Sequence, residues 1–435
     1  MAIRAIIMSA IVVASLPVCV WRPMYGICLW YIMAFLRPES YIWAGAGLPW
    51  ALAIAVATIA GMAISSRGWM RRLASRECLM LVLLWVWFTV TSIVSSDSAM
   101  FAHHAADTWS RWSMVSKTML MTLVTVGVID SYERWRKVIV VIAASFGAFV
   151  LKSLPFVLMT QGSMRLYGPE RSMIADNNDF GLALDMTLPL FFFLARTESK
   201  PWLRRLYIFL FVVTIPAIFF TYSRGAMLGL VVVFALMVVY MRRLAIFVPV
   251  GIIAVIVAVL FAPQSWKDRM NPQGDVVDAS ALSRFNSWQY SWALASDFPV
   301  AGGGFDTFTP ELFSQYAPNP RDVHGPHSVY FGVLAEHGFV GLGFYLLLVA
   351  SCFLSTFQLV RRGKKLGNRL TVEYANMCRF SLIGFLVPGA FLGRAYFDYY
   401  FAIVAFIAAL KMVTKFGSED EDEETDPLAI EGQAA

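Results

Sequence analysis

The sequence has few charged residues for its length of 435 residues. Aspartate, glutamate, lysine and arginine together make up 15% of it, whereas hydrophobic residues make up 58%. Soluble globular domains average roughly 25% charged residues, so this chain has too much apolar surface to fold in water by itself. The shortage of charge therefore excludes an ordinary soluble domain. It predicts an all-α polytopic membrane protein that is embedded in the lipid bilayer.

Motifs of metal, redox and nucleotide chemistry are missing as well. His103 and His104 are adjacent instead of one helical turn apart, and Asp275 and Asp278 lack the close carboxylate spacing of a sugar-nucleotide metal site. No Gly-Lys-Ser or Gly-Lys-Thr phosphate loop occurs. We therefore expect no metal and no cofactor. We interpret as packing residues the five cysteines, Cys19, Cys28, Cys78, Cys352 and Cys378.

The net charge of +6 does not indicate a nucleic-acid partner, because the cations follow membrane topology. Most of them lie in the short loops 66–77, 131–137, 196–205, 242–243 and 361–369. The positive-inside rule places these loops in the cytoplasm. The loops that alternate with them then face outward, namely 97–111, 159–178, 222–224, 262–326 and 394–398.

Apolar runs of roughly 17 to 25 residues, long enough to cross a bilayer as helices, recur along the chain. They lie near 48–65, 78–96, 112–130, 136–157, 179–195, 203–221, 224–241, 245–261, 339–357, 376–393 and 397–415. If the N-terminus is in the cytoplasm, residues 5–36, interrupted by Pro17, Arg22 and Pro23, are predicted to form one broken or tilted crossing plus a partial re-entrant piece. The total is then about twelve transmembrane helices.

The same pattern divides the chain into four parts. Residues 1–261 are predicted to form an N-terminal transmembrane bundle, and residues 262–338 a periplasmic insert with short helices. Residues 339–415 supply the C-terminal transmembrane helices, and residues 416–435 an acidic cytoplasmic tail.

Single arginines recur at the ends of the outward loops, where topology disfavours them. Isolated arginines at membrane level on that side indicate an anion bound there. For Arg224, at the tight link Thr221–Gly225, the alternative is a side chain that only reaches toward lipid headgroups. The candidates for anion binding are Arg165, Arg171, Arg224, Arg284 and Arg394.

His327 closes the long hydrophilic insert. Pro326 suits the first turn of a helix and Gly338 suits its end, so His327 is predicted to lie in the opening turn. There the helix dipole favours a neutral imidazole that can accept a proton, and free backbone N–H groups favour a phosphate. The alternative is a structural histidine that only forms hydrogen bonds. His337, beside Gly338, is predicted to cap the end of the helix.

Residues 279–292 are predicted to form an amphipathic helix on the membrane surface, with Ser283 as its cap. Arg284, Trp288 and Trp292 share one face of it, because they are spaced at i, i+4 and i+8. An arginine between tryptophans can hold a phosphate while the rings contact sugar or the membrane interface. The alternative is a plain interfacial helix with no ligand.

Three further features carry expectations. The glycines Gly302–Gly304 predict a tight turn or a close backbone approach. The outward segment around Asn178 supplies amides that bind sugar hydroxyls or cap a helix. Lys152 and Asp185 lie within apolar runs, where a buried structural pair is the favoured interpretation and a relay the alternative.

Several of these elements together resemble the O-antigen ligase family, within a group that includes O-antigen polymerases and protein O-oligosaccharyltransferases. The resemblance rests on the span layout, the large late insert, Ser223-Arg224-Gly225, the block from Ser283 to Pro299, and Gly302–Gly304. It also rests on a family pattern that His327-Ser328, Gly338 and Gly341 fit throughout. The segment 174–184 is similar to a subgroup of O-glycosylation ligases associated with exosortase systems.

The resemblance implies a GT-C-like membrane fold in the bacterial inner membrane and a metal-independent, inverting glycosyl transfer on the periplasmic face. The donor would be a glycan linked to undecaprenyl diphosphate, and the acceptor a hydroxyl of lipid A-core oligosaccharide. Arg224 and Arg284 would bind the diphosphate, together with Arg165, Arg171 and Arg394. His327 would be the catalytic base, supported by the polar residues Asn178, Asp398 and Trp288.

Three other functions remain open at this point. A polymerase of lipid-linked repeats or a protein O-oligosaccharyltransferase would use the same donor. A transporter without chemistry is less well supported, because the sequence has no internal repeat.

Overall fold

The structure, a computed structural model, describes residues 2–38, 49–170, 172–242, 263–264, 266–267 and 275–424. Its described residues form helices and connecting loops, with no strand among them. The helices of the first half are α1 (Ala2–Trp21), α2 (Pro23–Tyr31), α3 (Trp50–Ser65), α4 (Trp69–Leu73), α5 (Arg76–Asp97), α6 (Ala105–Val128) and α7 (Tyr132–Met159). The later helices are α8 (Asn177–Thr197), α9 (Pro201–Phe219), α10 (Arg224–Met241), α11 (Asp275–Asp297), α12 (Pro310–Tyr316), α13 (Val329–Lys365), α14 (Arg369–Gly389) and α15 (Asp398–Glu424).

Seven of the described helices combine the length and apolar composition needed to cross a membrane, and they are α1, α5, α7, α8, α9, α10 and α13. Two shorter apolar helices, α3 and α2 with the π-helical turn Ile32–Leu36, pack in the same bundle. The predicted span 245–261 lies outside the described residues. An all-α polytopic membrane protein is therefore confirmed, while the count of twelve crossings stays a prediction.

Residues 5–36 form two helices that break at Arg22, so the predicted interruption at Arg22 and Pro23 is confirmed. Pro23 lacks a backbone N–H and occupies the first turn of α2, which is where a helix tolerates proline. Trp50 donates to Ser9 Oγ at 3.2 Å, and Ser65 donates to the Val20 carbonyl at 3.4 Å, so α1 runs parallel to α3. The end of α1 thus lies near loop 66–77, and its start lies at the opposite end of the bundle.

The centre of the bundle is built from helices that are apolar on every side. All residues from Phe180 to Phe191 in α8 are buried, as are all residues from Tyr399 to Leu410 in α15. A helix without a polar face has no side to present to water, so it occupies the interior. α14 packs against both of these helices and completes the centre.

A backbone break divides α13 at Gly338, which has φ 68° and ψ −173°. The N–H groups of Gly303 and Gly304 donate to the carbonyls of Ala335 and Glu336, each at 2.9 Å, and close the short first part of α13. A Cβ at Gly338 would lie 2.5 Å from the Val300 carbonyl oxygen. The predicted helix end at Gly338 and the predicted close approach of the glycine turn are both confirmed.

The predicted helix starts differ from the observed ones. α13 begins at Val329 with Ser328 at the N-cap position, so His327 lies before the helix and not in its opening turn. α11 begins at Asp275, which places Ser283 inside the helix and not at its cap. Both predictions relied on local capping patterns, which tertiary contacts overrode.

Candidate functional site

The segment that leads to His327 is fastened to α11 by three consecutive side chains. Asn286 donates to the carbonyls of Asn319 and Asp322 at 3.0 and 3.1 Å. Ser287 donates to the His324 carbonyl at 3.2 Å, and the Trp288 indole donates to the Pro326 carbonyl at 2.9 Å. Each of these accepting carbonyls lies in an irregular loop and has no backbone hydrogen bond within a helix or sheet. The side-chain donors of α11 therefore hold the loop in one conformation.

Trp288 also fixes this loop by stacking. Its ring lies 5.2 Å from that of Phe331 with an interplanar angle of 10°, and 6.5 Å from that of Phe391. Trp292, one turn later on the same face, contacts Phe339 edge to face at 5.5 Å. The shared face predicted for α11 therefore packs against the start of α13.

His327 is half-buried and has a left-handed backbone conformation with φ 43°, which is uncommon for a residue other than glycine. Its backbone lies against the loop after α14, because a Cβ at Gly393 would be 3.4 Å from the His327 nitrogen. The imidazole makes no hydrogen bond to another residue in the described part of the chain. A strained backbone and an imidazole with both nitrogens available make His327 a candidate functional residue.

Charged side chains surround the imidazole. Burial lowers the pKa of His327, and the positive charge of Arg284 lowers it further. His324 and Arg394 act in the same direction, while the carboxylate of Asp176 opposes them. The ring is therefore neutral near pH 7 and can accept a proton.

Arg394 enters this group from the loop between α14 and α15. It is half-buried and forms an ion pair with Asp179 at 2.5 Å. Burial is the largest single influence and lowers the pKa of Arg394, but the hydrogen bond and charge of Asp179 together with the charge of Asp176 outweigh it, so the pKa is raised. A guanidinium has five N–H donors, so one bond to Asp179 leaves donors for a ligand.

Arg224 occupies the first turn of α10, after a turn that is tied to its neighbours. Ser223 caps the helix by accepting from the Ala226 N–H at 3.3 Å. Asn177 donates to the Thr221 carbonyl at 2.7 Å and joins this turn to the start of α8. A Cβ at Gly225 would lie 3.7 Å from Phe391 Cβ, so the turn also contacts the loop that carries Arg394.

The structure thus gathers Arg284, Arg394 and His327, with Arg224 on an adjoining turn. Within the described residues, Arg224 is half-buried and makes no hydrogen bond or ion pair. Arg165 does not join this group and lines a separate cleft beside α1 and α7. Arg171 lies outside the described residues.

Of the three residues predicted as polar support, two lie near His327 and one lies elsewhere. Trp288 contacts the His327 loop, as described above. The Asn178 backbone and side chain both donate to Asp176, at 2.8 and 2.9 Å, so Asn178 supports a carboxylate near His327. Asp398 accepts from Thr118 at 3.3 Å and faces Arg37, which puts it in a different cluster.

Two predictions for buried ionisable residues were wrong. His337 is no helix cap: its ring is fully buried, stacks on Phe88 at 4.1 Å and bonds Thr91 Oγ1 at 2.7 Å. Lys152 is exposed, whereas both carboxylate oxygens of Asp185 are buried without a hydrogen bond in the described part of the chain. The two residues therefore form no pair. An apolar pattern shows that a residue is in a span but not which way its side chain points.

The sequence did not single out several residues that build the site. Asp176 and Asp179 lie in a run of four polar residues that looks like ordinary helix capping. Asn286 and Ser287 follow Arg284 directly, and their bonds are visible only when loop 319–327 is in place. Glu336, which accepts from the Asp306 N–H at 3.0 Å and from the Tyr396 hydroxyl, reads as one acid in an apolar stretch.

Comparison with known proteins matches residues 209–346 to the family described as O-antigen ligase. Within this segment, the chain is similar to the O-antigen ligase family. Residues 3–199 match a family of unknown function. No curated protein matches the chain.

The O-antigen ligase match covers three of the four residues in the assembled group, namely Arg224, Arg284 and His327. Asp176, Asn178 and Asp179 come from the part that matches the family of unknown function. Arg394 lies beyond both matches. The candidate site therefore combines residues from the segment similar to the O-antigen ligase family, from the segment of unknown function and from the part beyond both matches.

Proposed function

We propose that this protein is an O-antigen ligase that transfers a glycan from undecaprenyl diphosphate to a hydroxyl of lipid A-core oligosaccharide. The reaction would occur at the periplasmic face of the inner membrane. The observation that carries the proposal is the proximity of the His327 imidazole to the guanidinium of Arg284. A neutral base beside a permanent cation suits a reaction that removes a proton from one substrate and stabilises an anion on the other.

In the proposed reaction, His327 accepts the proton of the acceptor hydroxyl. The acceptor oxygen forms a bond to the anomeric carbon of the donor sugar, on the face opposite the diphosphate. The bond between that carbon and the diphosphate oxygen breaks, and undecaprenyl diphosphate leaves with the electron pair. Displacement from the opposite face inverts the configuration at the anomeric carbon.

The arginines would act on the leaving group. We assign the diphosphate to Arg224 and Arg284, with Arg394 beside them, because a guanidinium binds phosphate oxygens through a planar fork of donors. Trp288 would offer an aromatic face for a sugar, and Asn178 would hold Asp176 in place. No metal is needed in this scheme, since the charge that develops on the diphosphate meets fixed cations.

The half-buried position of Arg224 and Arg394 supports a lipid-borne donor. Arg224 lies at the end of the membrane helix α10, and Arg394 lies between α14 and α15. A diphosphate on a polyprenyl chain would reach both while its chain stays in the bilayer.

The test combines purified full-length protein with undecaprenyl diphosphate-linked glycan and lipid A-core. We expect glycan to appear on lipid A-core without any added metal. Longer lipid-linked glycan without transfer to lipid A-core would indicate a polymerase instead. Transfer to a protein acceptor in the same mixture would indicate an O-oligosaccharyltransferase.

A further inference from the structure

A cleft of 860 Å³ lies at the end of the bundle that holds the start of α1. It is bordered by α1, the last turns of α7, loop 160–170 and the start of α8. Three cations line this α1–α7 cleft, namely Arg4, Lys152 and Arg165. None of them lies in the group around His327, so the cleft is a second candidate site.

The charges in the cleft favour an anion. Glu170 is the one carboxylate among its lining residues, against the three cations. In the described part of the chain, Arg4 and Arg165 make no hydrogen bond or ion pair with another side chain. The N–H donors of these two guanidiniums can therefore bind a ligand.

The rest of the lining is apolar. Phe149, Phe156 and Phe180 form part of the wall. Next to Arg4 and Lys152 in the sequence, the side chains of Ile3 and Leu151 are 70% and 43% exposed. On membrane helices, such exposed apolar side chains face lipid chains. A ligand in the cleft would therefore contact both cations and apolar side chains, close to lipid-facing surface.

The loop that closes the cleft is held in one shape. The Tyr222 hydroxyl donates to the Gly162 carbonyl at 2.7 Å, and the Leu166 N–H donates to the Phe220 carbonyl at 2.9 Å. A Cβ at Gly168 would lie 1.9 Å from the Ile174 carbonyl oxygen, so only glycine fits there. The cleft is thus a formed cavity, of the size that small-ligand sites usually have.

We propose that the α1–α7 cleft binds the phosphate group of a lipid, separately from the donor diphosphate proposed for the His327 site. Arginines at membrane level bind phosphate through charge-assisted hydrogen bonds, and the neighbouring apolar surfaces would take the acyl chains. This assigns Arg165 to the cleft and not to the donor. The proposal does not depend on the transfer reaction.

Lipid retention by the full-length protein in detergent tests the proposal, measured by native mass spectrometry. The probes are phosphatidylglycerol and diacylglycerol, which share acyl chains but differ in the phosphate. We expect the wild-type protein to retain phosphatidylglycerol and not diacylglycerol. The double variant Arg4→Gln/Arg165→Gln should retain phosphatidylglycerol about tenfold more weakly. Glu170→Gln should strengthen retention, because it removes the one opposing charge.

The matched control is Arg205→Gln/Arg361→Gln, which removes two exposed cations from the other end of the bundle and should leave retention unchanged. Equal retention by wild type and the Arg4→Gln/Arg165→Gln variant would overturn the proposal, as would equal retention of diacylglycerol. Binding of inorganic phosphate without phosphatidylglycerol would show a water-soluble ligand and overturn the lipid assignment. An equal loss of undecaprenyl diphosphate in that variant would place the cleft within the donor site and overturn its separateness.

Discussion

The two ends of the helix bundle use charge in different ways. At the end that carries loops 66–77, 131–137, 196–205 and 361–369, buried carboxylates are surrounded by partners. Glu77 accepts from Ser351 and Ser355 at 3.0 and 2.5 Å and pairs with Lys411 at 3.3 Å. Glu373 pairs with Arg196 at 2.7 Å and accepts from Tyr240. These groups join helices that are distant in the sequence, and their bonding capacity is spent on the fold.

At the His327 end, Arg224 and the His327 ring are held in place without a side-chain bond to the described residues. Arg224 has no side-chain partner among the described residues, and the His327 ring forms no hydrogen bond there. The contacts at this end fix the backbone instead, through Asn286, Ser287 and Trp288. The comparison indicates that one end is built for stability and the other for a ligand, because unused polar capacity at membrane level is costly to keep.

The largest effect expected from this contrast is on catalysis at the His327 end. His327→Gln should lower the rate of glycan transfer by about 10² to 10⁴, since a glutamine cannot accept the acceptor proton. Initial rates with purified protein and both substrates measure this. His103→Gln is the matched control, because His103 is an exposed histidine outside the group around His327. Similar rates for His327→Gln and wild type would remove His327 from the reaction.

The break in α13 should be sensitive to a single methyl group. Gly338→Ala would place a Cβ 2.5 Å from the Val300 carbonyl oxygen at a positive φ, at an expected cost of about 3 kcal/mol. The monomer fraction that survives heating in detergent reports the change. Gly343→Ala provides the control, because a Cβ there has no atom within 4 Å. Equal heat resistance of the two variants would show that the break at Gly338 is not needed.

At the opposite end, a charge deletion should affect stability and spare the reaction. Glu77→Gln would leave Lys411 without its buried charged partner, which should cost about 2 kcal/mol of stability. The cost is less than for a fully buried pair, because Lys411 is 29% exposed and water stabilises part of its charge. Heat resistance should fall, while the KM for the donor should stay the same. A raised KM in a variant that is still folded would contradict the division between the two ends.

The smallest expected effect is a change in pH dependence. Burial and the charge of Arg284 both lower the pKa of His327, so the neutral base persists to a more acidic pH than for an ordinary histidine. Arg284→Gln should raise this pKa, and the acidic limb of the kcat profile should move to higher pH. Arg205→Gln, a distant charge deletion, should leave the limb in place. An unmoved limb in Arg284→Gln would show that the two side chains are not electrostatically coupled.

Much of the fold was predictable, because membrane helices leave a direct mark in the sequence. The runs near 78–96, 136–157 and 224–241 correspond to α5, α7 and α10, since any helix in lipid must bury its backbone within an apolar stretch. The number of crossings within residues 5–36 was not predictable in this way. A run of 32 residues from 5 to 36 suits one tilted crossing or two short ones, and only packing against α3 decides between them.

The site was predictable in part for a different reason. Arg224, Arg284 and His327 stand out because each is a polar residue at the edge of an apolar or aromatic stretch. Arg165 stands out for the same reason, although it lines the α1–α7 cleft. Asp179 resembles an ordinary capping residue, and its bond to Arg394 joins positions 215 residues apart. Local patterns identify candidates, but they do not show which candidates meet.

The sequence by itself determined that this protein is an α-helical membrane protein and identified candidate functional residues at the ends of its helices. It did so because hydrophobic length and the placement of arginine and histidine are local properties of the chain. Tertiary structure alone decided that His327 lies before α13 in a strained conformation, that Arg394 pairs with Asp179, and that Arg165 belongs to another cleft. Those outcomes depend on contacts between distant segments, whose energies no local pattern contains.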